Sequence, residues 1–292
     1  MTGSGWRRSL SAARRVGTPR RQWGDGHGRL PCRQQALWEE WTAIHETSSF
    51  YDLEGFKAGG SRLRTYEVDE VGEVTGKSLL HLQCHFGIDT LSWARLGARV
   101  TGADFSDRAI QLARSLAAEL GLAATFVCSD LYDLPTVLDE QFDVVYTSHG
   151  VLGWLPDLER WAGVVAHFLR PGGVFYLTEI HPVAQAFAEE PGLRLGYPYF
   201  PRPEPLASPV QGSYADPTAQ VRQPVEYWWA HSMGEIVSAV AGAGLRIQFL
   251  HEFPFVEWPV PFLVRHDDDT WRLPPDAGGE LPLSFSLRAT SS

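Results

Sequence analysis

Cysteine is scarce in this chain, long apolar stretches are missing, and the first 33 residues hold no lysine and a single acid, Asp25. Cys32, Cys84 and Cys128 are the only cysteines, far apart and without the paired spacing of a zinc site, so neither a disulfide framework nor a cysteine-held metal is expected. His81, His85, His149 and His181 also lack zinc-like spacing, and no metal site is expected from them. No apolar run approaches the roughly 18 residues that a membrane span needs, which argues against a membrane partner. A reducing cytoplasm fits this cysteine usage.

What is present divides into a basic start and an acidic body. The first 33 residues contain eight arginines among Gly, Ser and Pro, and residues 1–35 are expected to form a disordered basic extension. Such a tail is of the kind that binds nucleic acid or anionic lipid; a Ser- and Arg-rich start also resembles an organelle transit peptide, or the stretch is an incidental extension. Beyond it remain 17 basic against 34 acidic residues. That balance argues against duplex nucleic acid as substrate, because phosphate binding calls for basic surface. A small neutral or cationic substrate is easier to accommodate. The 292 residues, 44% of them hydrophobic, suit one catalytic domain with elaborations.

Lys77 to Ser106 is the most informative stretch. Ser78 to Leu82 is a short apolar run suited to a parallel strand buried on both faces. Gln83 to Gly87 then forms a turn, Ile88 to Leu96 has helical apolar spacing, and Gly97 is a helix stop. The next strand, Ala98 to Gly102, leads to Asp104, 17 positions past Gly87, where nucleotide-binding βαβ units place a carboxylate on ribose hydroxyls. Adenosine is therefore the expected ligand fragment. An NAD-dependent oxidoreductase would use the same acid, but the three-glycine pyrophosphate fingerprint is missing.

Three further strands follow in order. Ala124 to Cys128 precedes Ser129-Asp130-Leu131; Phe142 to Thr147 reads as the fourth; Leu169-Arg170-Pro171-Gly172-Gly173 leads into the fifth, Val174 to Leu177. With this series the chain, from about Trp38 to the C-terminus, resembles the class I S-adenosylmethionine-dependent methyltransferases, whose first motif is an acid followed by three alternating glycines. His81 takes the acidic position, Gln83 and His85 replace two glycines, and Gly87 remains. Side chains at 83 and 85 imply a reshaped loop, or groups that hydrogen-bond the methionine part of the cofactor.

The resemblance implies an α/β Rossmann-like fold: a seven-stranded, mostly parallel sheet with helices on both faces and an antiparallel last strand. Gly244 to Leu250 and Leu283 to Leu287 supply the final strands. The implied cofactor is S-adenosyl-L-methionine, held by His81, Gln83, His85, Gly87, Asp104, Phe105, Asp130, Leu131 and Ser148, with Asp130 reading the adenine amino group. Residues 36–76 would form a helical lid, with His45 and Tyr51 over the pocket, or with Trp38, Trp41 and Phe50 simply packing on the core. Residues 77–181 would be the cofactor-binding core, and 228–292 its C-terminal part.

Residues 182–227 hold nine of the 20 prolines and several aromatics, too long for a simple connector. They are expected to form a substrate-selecting cap at the carboxyl ends of the strands, or else a dimer contact or packed loop. Candidate catalytic groups are His149 after the fourth strand and Glu179 and His181 after the fifth, with His181 favoured as base. Tyr51, Tyr227, Trp228 and His231 are candidate substrate contacts, the aromatics through cation–π attraction. His149, His181 and His231 are expected to converge on one mouth, although each has a structural alternative. The reading is methyl transfer to O, N or C of a small metabolite by a monomer or homodimer. The alternatives are cyclisation of the same cofactor or transfer of its aminocarboxypropyl chain, or a non-catalytic cofactor-binding protein.

Overall fold

The computed structural model describes residues 30–292. Most of the expected basic extension therefore lies outside the described residues, but its last residues belong to a helix. In chain order, α1 (Leu30–Thr47), α2 (Leu53–Lys57) and α3 (Thr65–Val71) precede β1 (Ser78–Leu82), α4 (Ile88–Arg95), β2 (Arg99–Asp104), α5 (Asp107–Leu120) and β3 (Ala124–Cys128). Then come β4 (Phe142–Thr147), α6 (Leu158–Phe168), β5 (Leu169–Ile180), α7 (Pro182–Gln185), β6 (Leu206–Pro209) and β7 (Val225–Trp228). The chain closes with α8 (Met233–Gly242), β8 (Arg246–Phe253), β9 (Val264–Arg265), β10 (Trp271–Arg272) and β11 (Ser284–Thr290).

The main sheet has seven strands in the order β3-β2-β1-β4-β5-β11-β8. β1 pairs in parallel with β2 and β4, and β11 runs antiparallel to both β5 and β8. All five residues of β1 are buried, as a central strand covered on both faces requires. Alternation sends Leu80 and Leu82 to the face covered by α6 and α8, and Leu79 to the face where Trp93 of α4 and Val71 of α3 pack. Helix α5 presents Ala109, Ile110, Ala113, Leu116 and Ala117 to the sheet; Ser106 caps its start, and Gly121 ends it in the left-handed conformation.

β1, β3 and β4 match their expected bounds, while β2, β5 and β8 run longer. β2 continues to Asp104, because that residue still pairs with Cys128 of β3. β5 extends to Ile180 and β8 to Phe253, since β11 continues the ladder beside them. The proline-rich stretch supplies α7 and the β6–β7 hairpin. A second excursion occupies residues 254–283, inside the stretch expected to be the C-terminal part of the core. It forms the β9–β10 hairpin and buries Val256, Phe262 and Leu263 against Ala184 and Leu283.

Phe126 sets the spacing between the first two strands. A Cβ on Gly87 would lie 2.6 Å from its ring, and one on Gly102 2.8 Å from both that ring and Cys84 Sγ. Gly87 also has φ +78°. Gly87→Ala is therefore expected to destabilise the fold by about 2–4 kcal/mol, overpacking adding to a left-handed backbone. Gly121→Ala, with open space around it, should cost only about 1 kcal/mol. Urea midpoints of the two variants check the ranking; equal losses would remove the packing argument.

Candidate functional site

β1 ends at Leu82, and the turn that follows keeps a glycine-type backbone with only one of the glycines. Gln83 has φ +57°, His85 φ +50° and Gly87 φ +78°, so all three alternating positions are left-handed. For a residue with a side chain this conformation costs about 1–2 kcal/mol and needs support from its surroundings. The support is specific. Cys84 N donates to Ala103 O (2.9 Å), and His85 N donates to Asp104 Oδ2 (2.9 Å). Asp104 Oδ1 accepts from Ser106 N (2.9 Å), so one carboxylate ties the turns after β1 and β2 together. Burial pushes the Asp104 pKa up to about 6, against the pull of these N–H groups. Each oxygen retains lone-pair capacity for a further donor.

Helix α1 and the cap close over this turn. His45 Nδ1 lies 2.9 Å from His85 Nε2, and both rings are neutral: burial lowers His45 to about 3, and burial followed by His45 lowers His85 well below the usual histidine range. Trp38 meets the His85 ring edge-on at 5.3 Å, and Tyr51 sits 5.5 Å from it and 4.8 Å from Phe86. The Tyr51 hydroxyl bonds to the Tyr214 hydroxyl, and Trp41 Nε1 donates to Gly212 O (2.9 Å), which fastens the lid to the cap. Trp154, after β4, packs on Trp38 and Trp41. Gln83 Oε1, His85 Nδ1 and His45 Nε2 are buried around the turn without a partner. Such atoms are costly unless a ligand or water satisfies them. The residues present thus fit a polar ligand there.

His81, in the acidic position of the motif, is spent internally. Its Nδ1 lies 2.8 Å from Thr90 Oγ1 and its Nε2 3.0 Å from Ser148 Oγ, and burial lowers its pKa to about 3. It anchors the start of α4 to the end of β4 as a neutral group. Toward β3, Asp130 is exposed, with Oδ1 accepting from Tyr132 N (2.8 Å), while Leu131 is buried in the core. The Phe105 carbonyl accepts from Gln35 Nε2 of α1 (2.9 Å). Asp104, Asp130 and the 83–87 turn therefore share the carboxyl edge of the sheet. A cleft of about 660 Å³, lined by Ser78, Arg99, Thr125 and Gln141, lies at the opposite edge.

The expected catalytic cluster does not assemble. Glu179 accepts from Gly150 N (2.6 Å), Val151 N (2.8 Å), Leu152 N (2.9 Å) and Ile180 N (2.6 Å), so its carboxylate clamps the loop after β4 and has no capacity left for substrate. Burial raises its pKa while these four donors oppose the rise. His181 caps α7, Nδ1 accepting from Val183 N (3.1 Å), and its Nε2 lies 2.9 Å from Glu252 Oε1 on β8, which turns the ring away from β4. His231 uses both nitrogens, on Leu155 O (2.8 Å) and Glu235 Oε2 (3.0 Å). His149, His181 and His231 thus serve three separate places.

Tyr227 and Trp228 lie in the β6–β7 hairpin. The Tyr227 carbonyl accepts from Gln34 Nε2 (2.8 Å) and its hydroxyl from Arg33 Nη1 (3.1 Å), and Trp228 Nε1 donates to Ser208 Oγ (3.2 Å), so this hairpin braces α1. Tyr51 alone of the expected substrate contacts lies over the turn. His149 keeps an unpartnered Nδ1 beside Tyr66 and Trp258. Sequence reading missed Trp154, which packs on Trp38 and Trp41 beside the turn, and Glu67, which stands in the first turn of α3, where it reads as an ordinary helix-dipole partner, although its Oε1 accepts from the buried Tyr146 hydroxyl.

Residues 80–177 match the family model described as a methyltransferase domain. The ubiquinone biosynthesis O-methyltransferase of Photorhabdus laumondii is 32% identical over 145 residues, which span 48% of this chain and 59% of that protein. Its counterpart from Salmonella arizonae is 33% identical over 136 residues, spanning 45% and 56%. The chain therefore spans a little over half the length of these curated relatives. Among solved structures, an S-adenosylmethionine-dependent methyltransferase from Mesorhizobium loti superposes with a TM-score of 0.55 at 20% identity, over 80% of this chain and 99% of that one. A glycopeptide N-methyltransferase complexed with sinefungin gives 0.51 at 18% identity, over 78% and 91%. Both likenesses establish the fold.

The Glu179 clamp makes its own prediction. Glu179→Ala strands several buried N–H groups and is expected to cost about 3 kcal/mol or more in unfolding free energy. His231→Ala, breaking two contacts, should cost about 1–3 kcal/mol. Denaturant unfolding checks both; a neutral Glu179→Ala would show that the loop needs no clamp.

Proposed function

We propose that the chain is a class I S-adenosylmethionine-dependent methyltransferase that methylates a small molecule, a reading supported by the match of residues 80–177 to a methyltransferase domain model. The observation that carries the reading is the left-handed 83–87 turn fastened to Asp104, with unpartnered Gln83 Oε1 and His85 Nδ1 beside it. The bound cofactor supplies an electrophilic methyl group on a positively charged sulfur. In this reading Asp104 accepts hydrogen bonds from the ribose hydroxyls, and Asp130, open to solvent, accepts from the adenine amino group. Gln83 and His85 satisfy the charged amino-acid end that glycines leave to backbone alone. Trp38, Tyr51 and Tyr214 exclude water, which strengthens each polar contact beneath them.

The curated relatives' O-methylation favours oxygen as the accepting atom. No helix among the described residues is long and apolar enough to cross a membrane. We place the activity in the cytoplasm, in a monomer or homodimer, without a nucleic-acid partner. The side chains at 83 and 85 also keep a second chemistry in view, transfer or cyclisation of the cofactor's amino-acid chain. S-adenosylhomocysteine as the turnover product excludes that chemistry, and methylthioadenosine supports it.

Titration calorimetry is the test. S-adenosylhomocysteine is expected to bind at micromolar Kd, and Asp104→Ala to weaken it at least tenfold. Affinity should also fall between pH 7 and pH 5. Asp104 titrates near pH 6, and its protonated form loses acceptor capacity. His45, titrating near 3, and His85, lower than usual, stay neutral across that window. Absence of binding by folded protein sinks the reading; equal affinity at both pH values removes Asp104 from it.

A further inference from the structure

Asp89 stands in the first turn of α4, two residues past Gly87. That placement alone would make it an ordinary partner of the helix dipole. Its surroundings set it apart. The residue is half-buried, and the groups that feel its charge lie on several sides: Cys84 in the 83–87 turn, Tyr51 and Tyr214 where lid meets cap, Tyr146 on β4 and Glu67 on α3. Burial raises its pKa, and Arg62, Arg64 and a hydrogen bond with the Ser148 side chain oppose the rise.

The Ser148 bond is the end of a chain that begins at the motif's histidine. Thr90 Oγ1 lies 2.8 Å from His81 Nδ1, and His81 Nε2 lies 3.0 Å from Ser148 Oγ. A hydroxyl has one proton, and a carboxylate can only accept. Ser148 therefore donates to Asp89 and accepts from His81 Nε2, while His81 Nδ1 accepts from Thr90. Nothing else described satisfies Asp89. Arg62 Nη2 donates to the Phe50 carbonyl (3.2 Å), and Arg64 pairs with Glu257 (3.3 Å). Among the described residues Asp89 has no ion pair and a single donor, whereas the Glu179 carboxylate accepts from four amides. A carboxylate withdrawn from water on those terms is costly unless a ligand supplies donors.

Gln83, in the turn, needs the same kind of partner. Its Nε2 donates to Val151 O (3.3 Å), which leaves Oε1 buried without a donor. Two acceptors thus lack donors on either side of Gly87. An ammonium group carries three donors and no acceptor, so it suits both, whereas a ligand carboxylate would meet acceptors only.

Resting on the methyltransferase reading, we propose that Asp89 and Gln83 Oε1 together hold the cofactor's α-ammonium group, so that the chain discriminates against nucleosides that lack it. Asp89 supplies from the start of α4 the negative charge that a neutral His81 does not. His81 is a positioning residue, acting on Asp89 through Ser148.

Three nucleosides separate the ammonium from the rest of the ligand in calorimetric titrations of the full-length protein. They are S-adenosylhomocysteine, its des-amino analogue with hydrogen in place of the ammonium, and methylthioadenosine, which lacks the whole amino-acid chain. The parent is expected to bind S-adenosylhomocysteine at least tenfold more tightly than the des-amino analogue. Asp89→Asn keeps an acceptor for Ser148 and removes the charge. It should weaken S-adenosylhomocysteine at least tenfold and leave the affinities of the other two within twofold of the parent's. A purely structural Asp89 would instead weaken all three alike, and that result overturns the proposal. So does an Asp89→Asn protein that binds S-adenosylhomocysteine as the parent does. If the variant does not fold, the parent alone decides: equal affinity for S-adenosylhomocysteine and the des-amino analogue overturns the proposal and leaves the methyltransferase reading standing. Folded parent that binds none of the three sinks both.

Discussion

The Phe126 ring is the constraint on which the site depends. It lies where a side chain on Gly87 or Gly102 would otherwise be, and so brings the ends of β1 and β2 close enough for Asp104 to reach the amide of His85. That single carboxylate then holds a turn whose backbone would relax if left free, since Gln83 and His85 both sit at positive φ. Tight packing below and a buried acceptor beside it over-determine the turn, the condition under which strained residues persist. The side chains at 83 and 85 are thereby displayed rather than merely tolerated.

Replacing the motif's acid with His81 changes the electrostatics of the sheet's centre without emptying it. A buried carboxylate there would need donors; a neutral imidazole between Thr90 and Ser148 is satisfied by two hydroxyls. The buried acids Asp104 and Glu179 rely on backbone amides instead of cations, and Glu67 on a backbone amide and the Tyr146 hydroxyl. The site is built with polar groups and little net charge, which suits chemistry whose positive charge arrives with the ligand.

β1 and β4 were legible because strands buried on both faces leave nearly uninterrupted apolar runs, and both have the bounds that their residues imply. Asp104 was legible for a related reason: the end of β2 fixes where its carboxylate can be. The histidines were not. Chain order places His149, His181 and His231 after neighbouring strands, but β11 lies between β5 and β8, and Glu252 draws His181 toward that side. Residues 254–283 went unrecognised because their prolines and short β9–β10 ladder carry no periodicity, and their apolar side chains find partners only in the tertiary fold. Glu67 shows the limit most plainly, since an acid in a helix's first turn looks the same whether it faces water or, as here, a buried tyrosine hydroxyl.

The seam between lid and cap joins residues 163 and 171 positions apart, Tyr51 to Tyr214 and Trp41 to Gly212. A turn covered in this way is not bared by the fraying of one loop; two distant stretches of chain must part together, so access to the 83–87 turn depends on contacts that no single local segment controls.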